Sequence, residues 1–179
     1  AGVAFVATHI AGSAGALTWI AIEWKLHGKA TTLGAASGAV AGLAMVTPAA
    51  GFVRPLSAAL IGVMAGAVCY LGILAKNKFH YDDSLDVVGI HGVGGVFGLL
   101  AAGLFASKLV NPNGADGLFF GNPSQLAIQG LAIFVTIVYT FVITYILFKV
   151  VDKFFGLRVS ENDELVGLDL NQHEETGYE

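Results

Sequence analysis

The sequence predicts an all-α bundle of membrane-spanning helices, and three observations predict it. Of 179 residues, 55% are hydrophobic and 12% charged, with mean hydropathy +0.73, whereas soluble domains carry about 25% charged residues. The charges are also segregated. Five stretches, 1–22, 30–53, 55–75, 87–107 and 117–148, contain no Asp, Glu, Lys or Arg, and each reaches across about 30 Å of hydrocarbon at 1.5 Å per helical residue. Third, small residues recur every four positions, at Gly34, Gly38 and Gly42, at Ala58, Gly62 and Gly66, and at Gly94 and Gly98. Such ridges let helix backbones approach closely, which matters because lipid tails give helices no hydrophobic drive to associate. A large soluble core is excluded.

Each element has its own signals. The first span opens directly in apolar register, with no initiator Met, no basic leader and no small-residue cleavage site. That disfavours a signal peptide and implies a chain that starts partway through a larger membrane protein. Trp19 and Trp24 flank its far end and read as interfacial anchors. The second span should stop near Thr47 and Pro48, because proline cannot continue the hydrogen-bond ladder. The third carries Cys69, the single cysteine, so neither a disulfide framework nor a cysteine metal site is expected. The fourth carries His91. Asn111, Pro112, Asn113 and Gly114 are turn chemistry. Residues 117–123 read as loop, so the fifth helix begins near Ser124 with Pro123 just outside it. This gives a transmembrane region over 1–151 and a tail over 152–179.

Orientation follows from the basic residues of alternate connections. Lys25, Lys29, Lys76, Lys78, Lys149, Lys153 and Arg158 fall on one side, and only Arg54 and Lys108 on the other. The positive-inside rule places the first group, and the tail, in the cytoplasm of a multi-pass protein of the cell (inner) membrane. The tail holds eight acids against two bases, a balance of minus six that leaves the rest of the chain at plus two. Composition alone fits a solvated end. Yet Leu157, Val159, Leu165, Val166, Leu168 and Leu170 recur too regularly, and imply docking on a partner surface, most simply the basic cytoplasmic loops.

His91 is the most telling residue, because an ionisable ring inside a membrane span is a functional-site hypothesis by default. Counting back by fours, Asp83, Val87 and His91 should form a line along one helix side, with His91 about 7 Å above Asp86. A neutral imidazole offers one donor and one acceptor. It can therefore relay a proton or bind a small polar solute without trapping a charge. The bland alternative is a histidine bonded to a neighbouring carbonyl. A metal site is not expected, since no second ligand lies beside His91 at ligand spacing.

Three segments carry a resemblance. "DDSLDVVGIHGVGG" at 82–95 closely resembles the tenth-helix motif of the Amt/Mep/Rh ammonium transporter family. "GLRVSENDELVGLDLNQHEETGYE" at 156–179 is similar to the cytoplasmic tail of its bacterial Amt branch, and "GAASGAVAGLAMVTPAAG" at 34–51 to its eighth helix. The resemblance implies helices seven to eleven of an eleven-helix inverted-repeat fold, assembled as a homotrimer with a narrow apolar pore in each subunit. It implies transport of ammonium or ammonia, by way of a deprotonated species, along two pore histidines. His91 matches the second of these, Val87 a pore-lining position and Asp86 the acidic start of helix ten. In the tail it singles out Asp163, Glu164, Gly167 and Asp169. A PII-type signal-transduction protein is the implied partner on the cytoplasmic face, besides the lipid bilayer. No enzyme activity, cofactor, metal or nucleic acid is implied. The first pore histidine, the external gate and the recruitment residues belong to helices absent from this chain. Asn171 stands where plant relatives carry a phosphorylatable threonine, and Glu174 where glycine is usual. His9 reads as structural or vestibular, and His27 and His80 as solvated loop residues. Other readings are a membrane ammonium sensor or regulatory module and a Rh-type gas channel, the latter disfavoured by the Amt-style tail.

Overall fold

The computed structural model describes residues 1–175; the last four residues of the tail lie outside the described residues. Two compact units are formed, 1–134 and 135–179. In the first, Gly2–His27 (α1), Thr32–Val46 (α2) and Pro55–Phe79 (α3) are followed by a π-helical turn over Val88–Gly92. That turn runs directly into Val93–Phe105 (α4), then come a short 3-10 turn at Leu118–Phe120 and the start of Ser124–Phe155 (α5). The second unit holds the remainder of α5, with Glu161–Val166 (α6) and Leu168–His173 (α7). Among the described residues, α1, α3, the continuous Val88–Phe105 helix and α5 are long and apolar enough to cross a membrane.

The small-residue ridges account for how the first unit packs. α1 lies against both α2 and α3, and Ala11 of α1 is approached from two sides. A Cβ added to Gly42 would strike the Ala11 carbonyl, and one added to Gly62 would lie 2.8 Å from the Ala11 Cα. Gly98 of α4 likewise rests on the Met45 backbone. Van der Waals contact between backbones thus replaces the hydrophobic drive that the bilayer does not supply. The core is accordingly made of small side chains around Met45, Ile61, Val46 and Val53.

The charge-free stretch 30–53 is helical over only 15 residues, or about 22 Å. Thr31 caps α2 by accepting from the Gly34 N–H at 2.9 Å, and its own N–H donates to Glu23 at 2.8 Å. At the other end the chain leaves the helix at Thr47 and Pro48, then turns twice, with Ala49 N–H donating to Val46 and Phe52 N–H to Ala49. Absence of charge marks what lipid or protein covers, and turn backbone is tolerated there when its polar groups are satisfied. The turn at 111–114 forms as its composition predicts, Asn113 N–H donating to the Asn111 side chain at 3.1 Å.

Trp19 is a correction. It is 4% exposed and packs edge-on against Tyr70 with ring centroids 5.1 Å apart, so it belongs to the α1–α3 interface. Of the two tryptophans only Trp24, 66% exposed, is free to anchor at an interface. Helical phase explains this, since Trp19 continues the line of Ala11 and Gly15.

In the second unit the tail residues hold one another. Ser160 caps α6, accepting from the Asp163 N–H and donating to the Asp163 carboxylate at 2.7 Å. Asn171 Nδ2 donates to the other Asp163 oxygen at 3.2 Å, linking α7 back to α6. Gly167 joins the two helices at φ 109, in the left-handed half of the map, where a side chain would be strained. The Asp169 carbonyl accepts from the N–H groups of Glu174 and Glu175. Arg158 grips Glu164 with two hydrogen bonds, 2.8 Å and 3.1 Å long, and these hold its carboxyl below the usual carboxylate range. The pair therefore contributes at neutral pH and is lost as pH falls through the lowered value. Arg158→Ala is expected to return Glu164 to ordinary carboxylate titration, followed by NMR of the side-chain carboxyl carbon. An unaltered titration would argue that the guanidinium does not hold it.

Candidate functional site

The segment that carries His91 is shaped before the helix begins. Asp86 adopts a left-handed backbone, φ 56, which a residue other than glycine enters only when its surroundings enforce it. Lys76, in the last turn of α3, supplies that enforcement. Its ammonium donates to the Asp83 carbonyl at 2.9 Å and forms an ion pair with the Asp86 carboxylate. Held in this way, the loop returns Asp83 to the helix start, where one carboxylate oxygen accepts from Val87 N–H and the other from Val88 N–H, both at 2.9 Å. Two of the helix's orphan donors are thereby satisfied by a single side chain, of the sign the helix N-terminus favours.

The helix then opens into a π turn. Val93 N–H reaches back to the Val88 carbonyl, five residues away, as well as to Ile90. The straight line expected through Asp83, Val87 and His91 therefore does not form. Asp83 precedes the helix as its cap, and the wider turn between Val87 and His91 departs from the 3.6-residue period on which that line was drawn. Short π turns inside α-helices occur frequently at functional sites.

α3 braces this turn on one side. The Cys69 thiol donates to the Ile90 carbonyl at 3.7 Å, and a Cβ on Gly89 would sit 3.2 Å from the Ile73 nitrogen. Gly89 and Ile90 are buried in that contact, whereas Val87 and His91 are exposed on this chain. Of the three sequence-derived residues, Val87 and His91 are thus left open one turn apart, while Asp86 is turned into the ion pair with Lys76. Sequence reasoning missed Lys76 and Cys69 as neighbours of this site. Their signal was the spacing of Cys69, Gly72, Ile73 and Lys76, which is i, i+3, i+4 and i+7 and so marks one face of α3.

Of the other histidines, His27 and His9 have side-chain neighbours. His27 is exposed, as expected of a solvated residue, and its Nε2 also lies 3.0 Å from the Tyr70 hydroxyl. Both line a pocket of about 320 Å³ with Trp19, Glu23, Thr31 and Asp86 among its walls. His80 ends α3 in a left-handed conformation, φ 55. His9 is exposed and stacks on Phe5 with ring centroids 4.9 Å apart. Among the described residues no three His, Cys, Asp or Glu side chains are grouped to hold a metal ion.

The family model described as Ammonium Transporter Family matches residues 1–178. The chain belongs to that family. It is 49% identical over 177 residues to an ammonium transporter of Bacillus subtilis, a match covering 98% of this chain and 44% of that protein. It is 48% identical over 175 residues to ammonium transporter Amt1 of Archaeoglobus fulgidus, again over 98% of this chain and 44% of the relative. The crystal structure of Saccharomyces cerevisiae Mep2 superposes with a TM-score of 0.83 at 36% identity, over 89% of this chain and 37% of that one. A structure described as a sensor Amt protein has a TM-score of 0.82 at 24% identity, and shares the fold. The chain spans less than half the length of the curated relatives it matches.

Proposed function

We propose that this chain is the later half of an ammonium transporter and supplies one wall of its pore. The single observation that carries this reading is His91, an imidazole left open on an apolar helix, at a π turn braced from behind. Membership of the Ammonium Transporter Family supports the substrate. The physical case rests on charge. Moving an ammonium-sized ion from water into a medium of low dielectric costs of order 20 kcal/mol by the idealised Born estimate, whereas neutral ammonia avoids that term. An apolar conduit therefore passes a species that can lose a proton and stops potassium, which cannot. Left open like Val87 on this chain, His91 takes part in the deprotonation or carries the released proton onward, and Asp86 marks the inner mouth through its fixed place beside Lys76.

In this reading residues 1–151 form the transmembrane region of a homotrimer in the cell (inner) membrane. The tail from 152 onward is cytoplasmic and couples the subunits, and a PII-type protein closes that face. The seven basic residues on one set of connections support the orientation. The bonds of Asp163 to Ser160 and Asn171, of Glu164 to Arg158, and of the Asp169 carbonyl to Glu174 and Glu175 support a tail with a shape of its own to dock. The test is the full-length protein in proteoliposomes. An ammonium gradient is expected to drive flux well above protein-free vesicles while an equal potassium gradient does not; flux no greater than in empty vesicles, or equal passage of potassium, overturns the reading. Deleting 156–179 is expected to lower flux and weaken cooperation between subunits in mixed-subunit trimers, and unchanged behaviour there removes the coupling role.

A further inference from the structure

We infer that Lys76 and Cys69, on one face of α3, are positioning residues that set the orientation of His91, Lys76 by gripping the loop that leads into the π turn and Cys69 by gripping the middle of the turn itself. The inference rests on the reading of His91 as a pore residue. At the lower end, the Lys76 ammonium satisfies both the Asp83 carbonyl and the Asp86 carboxylate, and so fixes the left-handed residue from which the helix departs. Asp83 can cap Val87 and Val88 only with its own backbone held there.

At the middle of the turn, Cys69 is fully buried and its thiol meets the Ile90 carbonyl, the peptide group immediately before His91. The same sulfur is the nearest atom to the position a Cβ on Gly94 would take, at 3.3 Å. A thiol suits this place. It is a small apolar group with one weak, long-reaching donor, and the carbonyls of a widened turn have room for a second partner. Between the two grips, Gly72 and Gly89 let the backbones of α3 and the turn touch, a Cβ on Gly72 lying 3.2 Å from the Gly89 Cα. The turn is thus held from one side at three heights, and His91 is the residue left over on the open side. Neither Lys76 nor Cys69 is placed to touch a permeant; both act through the backbone of 83–90.

The experiment uses the full-length protein in proteoliposomes with methylammonium as the probe. Cys69→Ala and Lys76→Met are each expected to lower flux about fivefold, the population change that losing one net hydrogen bond sets. Cys69→Ser and Lys76→Arg, which keep a donor at each grip, are expected to retain most of it. The S–H stretching band assigned to Cys69 by difference from Cys69→Ser is expected at the lowered frequency of a bonded thiol, and in Lys76→Met it should move toward the free-thiol position. His91→Ala is run alongside. If His91→Ala lowers flux while Cys69→Ala and Lys76→Met match the parent, the positioning role is overturned and the pore reading stands. Failure of Ser and Arg to rescue, or a free-thiol band in the parent, overturns it as well. If His91→Ala also matches the parent, the pore reading itself falls and takes the positioning role with it.

Discussion

Replacing His91 with alanine in the full-length protein is expected to lower methylammonium uptake into vesicles by on the order of 100-fold or more, the scale that a positioned proton-transfer group contributes, while the proposed trimers assemble as before. The two halves of that result have separate causes. His91 is exposed on this chain and the buried side of its turn is made by Gly89 and Ile90, so truncating the ring removes no core contact from this half. In the proposed pore, transport suffers because alanine offers neither donor nor acceptor, and the permeant then faces an unbroken apolar wall on this side. Uptake and selectivity equal to the parent would remove His91 from the mechanism. Loss of trimers would instead show that the ring is structural.

The second large effect concerns assembly. Gly42→Val should unfold or misassemble the protein, because the new Cβ lands on the Ala11 carbonyl, which is backbone and cannot rotate aside. Overpacked cores usually cost about 1–3 kcal/mol, and a helix pair held by backbone contact has no flexible side chain to absorb the intrusion. The separation of α1 from α2 would have to widen, loosening α3 as well through the shared Ala11. Gly51→Ala serves as the control, since a Cβ there meets no atom within 4 Å, and its effect is expected within about 0.5 kcal/mol of neutral. Thermal unfolding in detergent, with trimer content by size-exclusion chromatography, measures both. Equal midpoints for the two variants would contradict the packing account.

Much of this architecture is legible in the residues because bilayer solvent leaves few choices. Pro48 and Pro123 had to lie outside helices, and four-residue repeats of glycine had to face another backbone. The structure bears these out at α2, α5 and the Ala11 contact. What escaped are features that tertiary contact imposes on the local period. The line through Asp83, Val87 and His91 presumed 3.6 residues per turn, but close packing of Gly89 on α3 accompanies a wider turn. Nothing near Asp86 announces a left-handed backbone, because the cause, Lys76, lies ten residues earlier on another helix. Trp19 and Trp24 look equivalent as interfacial aromatics until helical phase is set against Ala11 and Gly15. His91 was singled out by type and setting, and its neighbours Lys76 and Cys69 by neither, since lysine at a helix end and cysteine in an apolar span each have ordinary explanations.

The burial of Trp19 has a practical consequence. Its indole lies against Tyr70, whose hydroxyl meets His27, so one chromophore touches α1, α3 and the wall of the pocket at once. Any motion that parts these helices, or any guest that enters beside them, changes the polarity around that ring and the efficiency of energy transfer from its tyrosine neighbour. With Trp24→Phe removing the other indole of this half, fluorescence emission becomes a built-in gauge of that seam, readable in unlabelled protein.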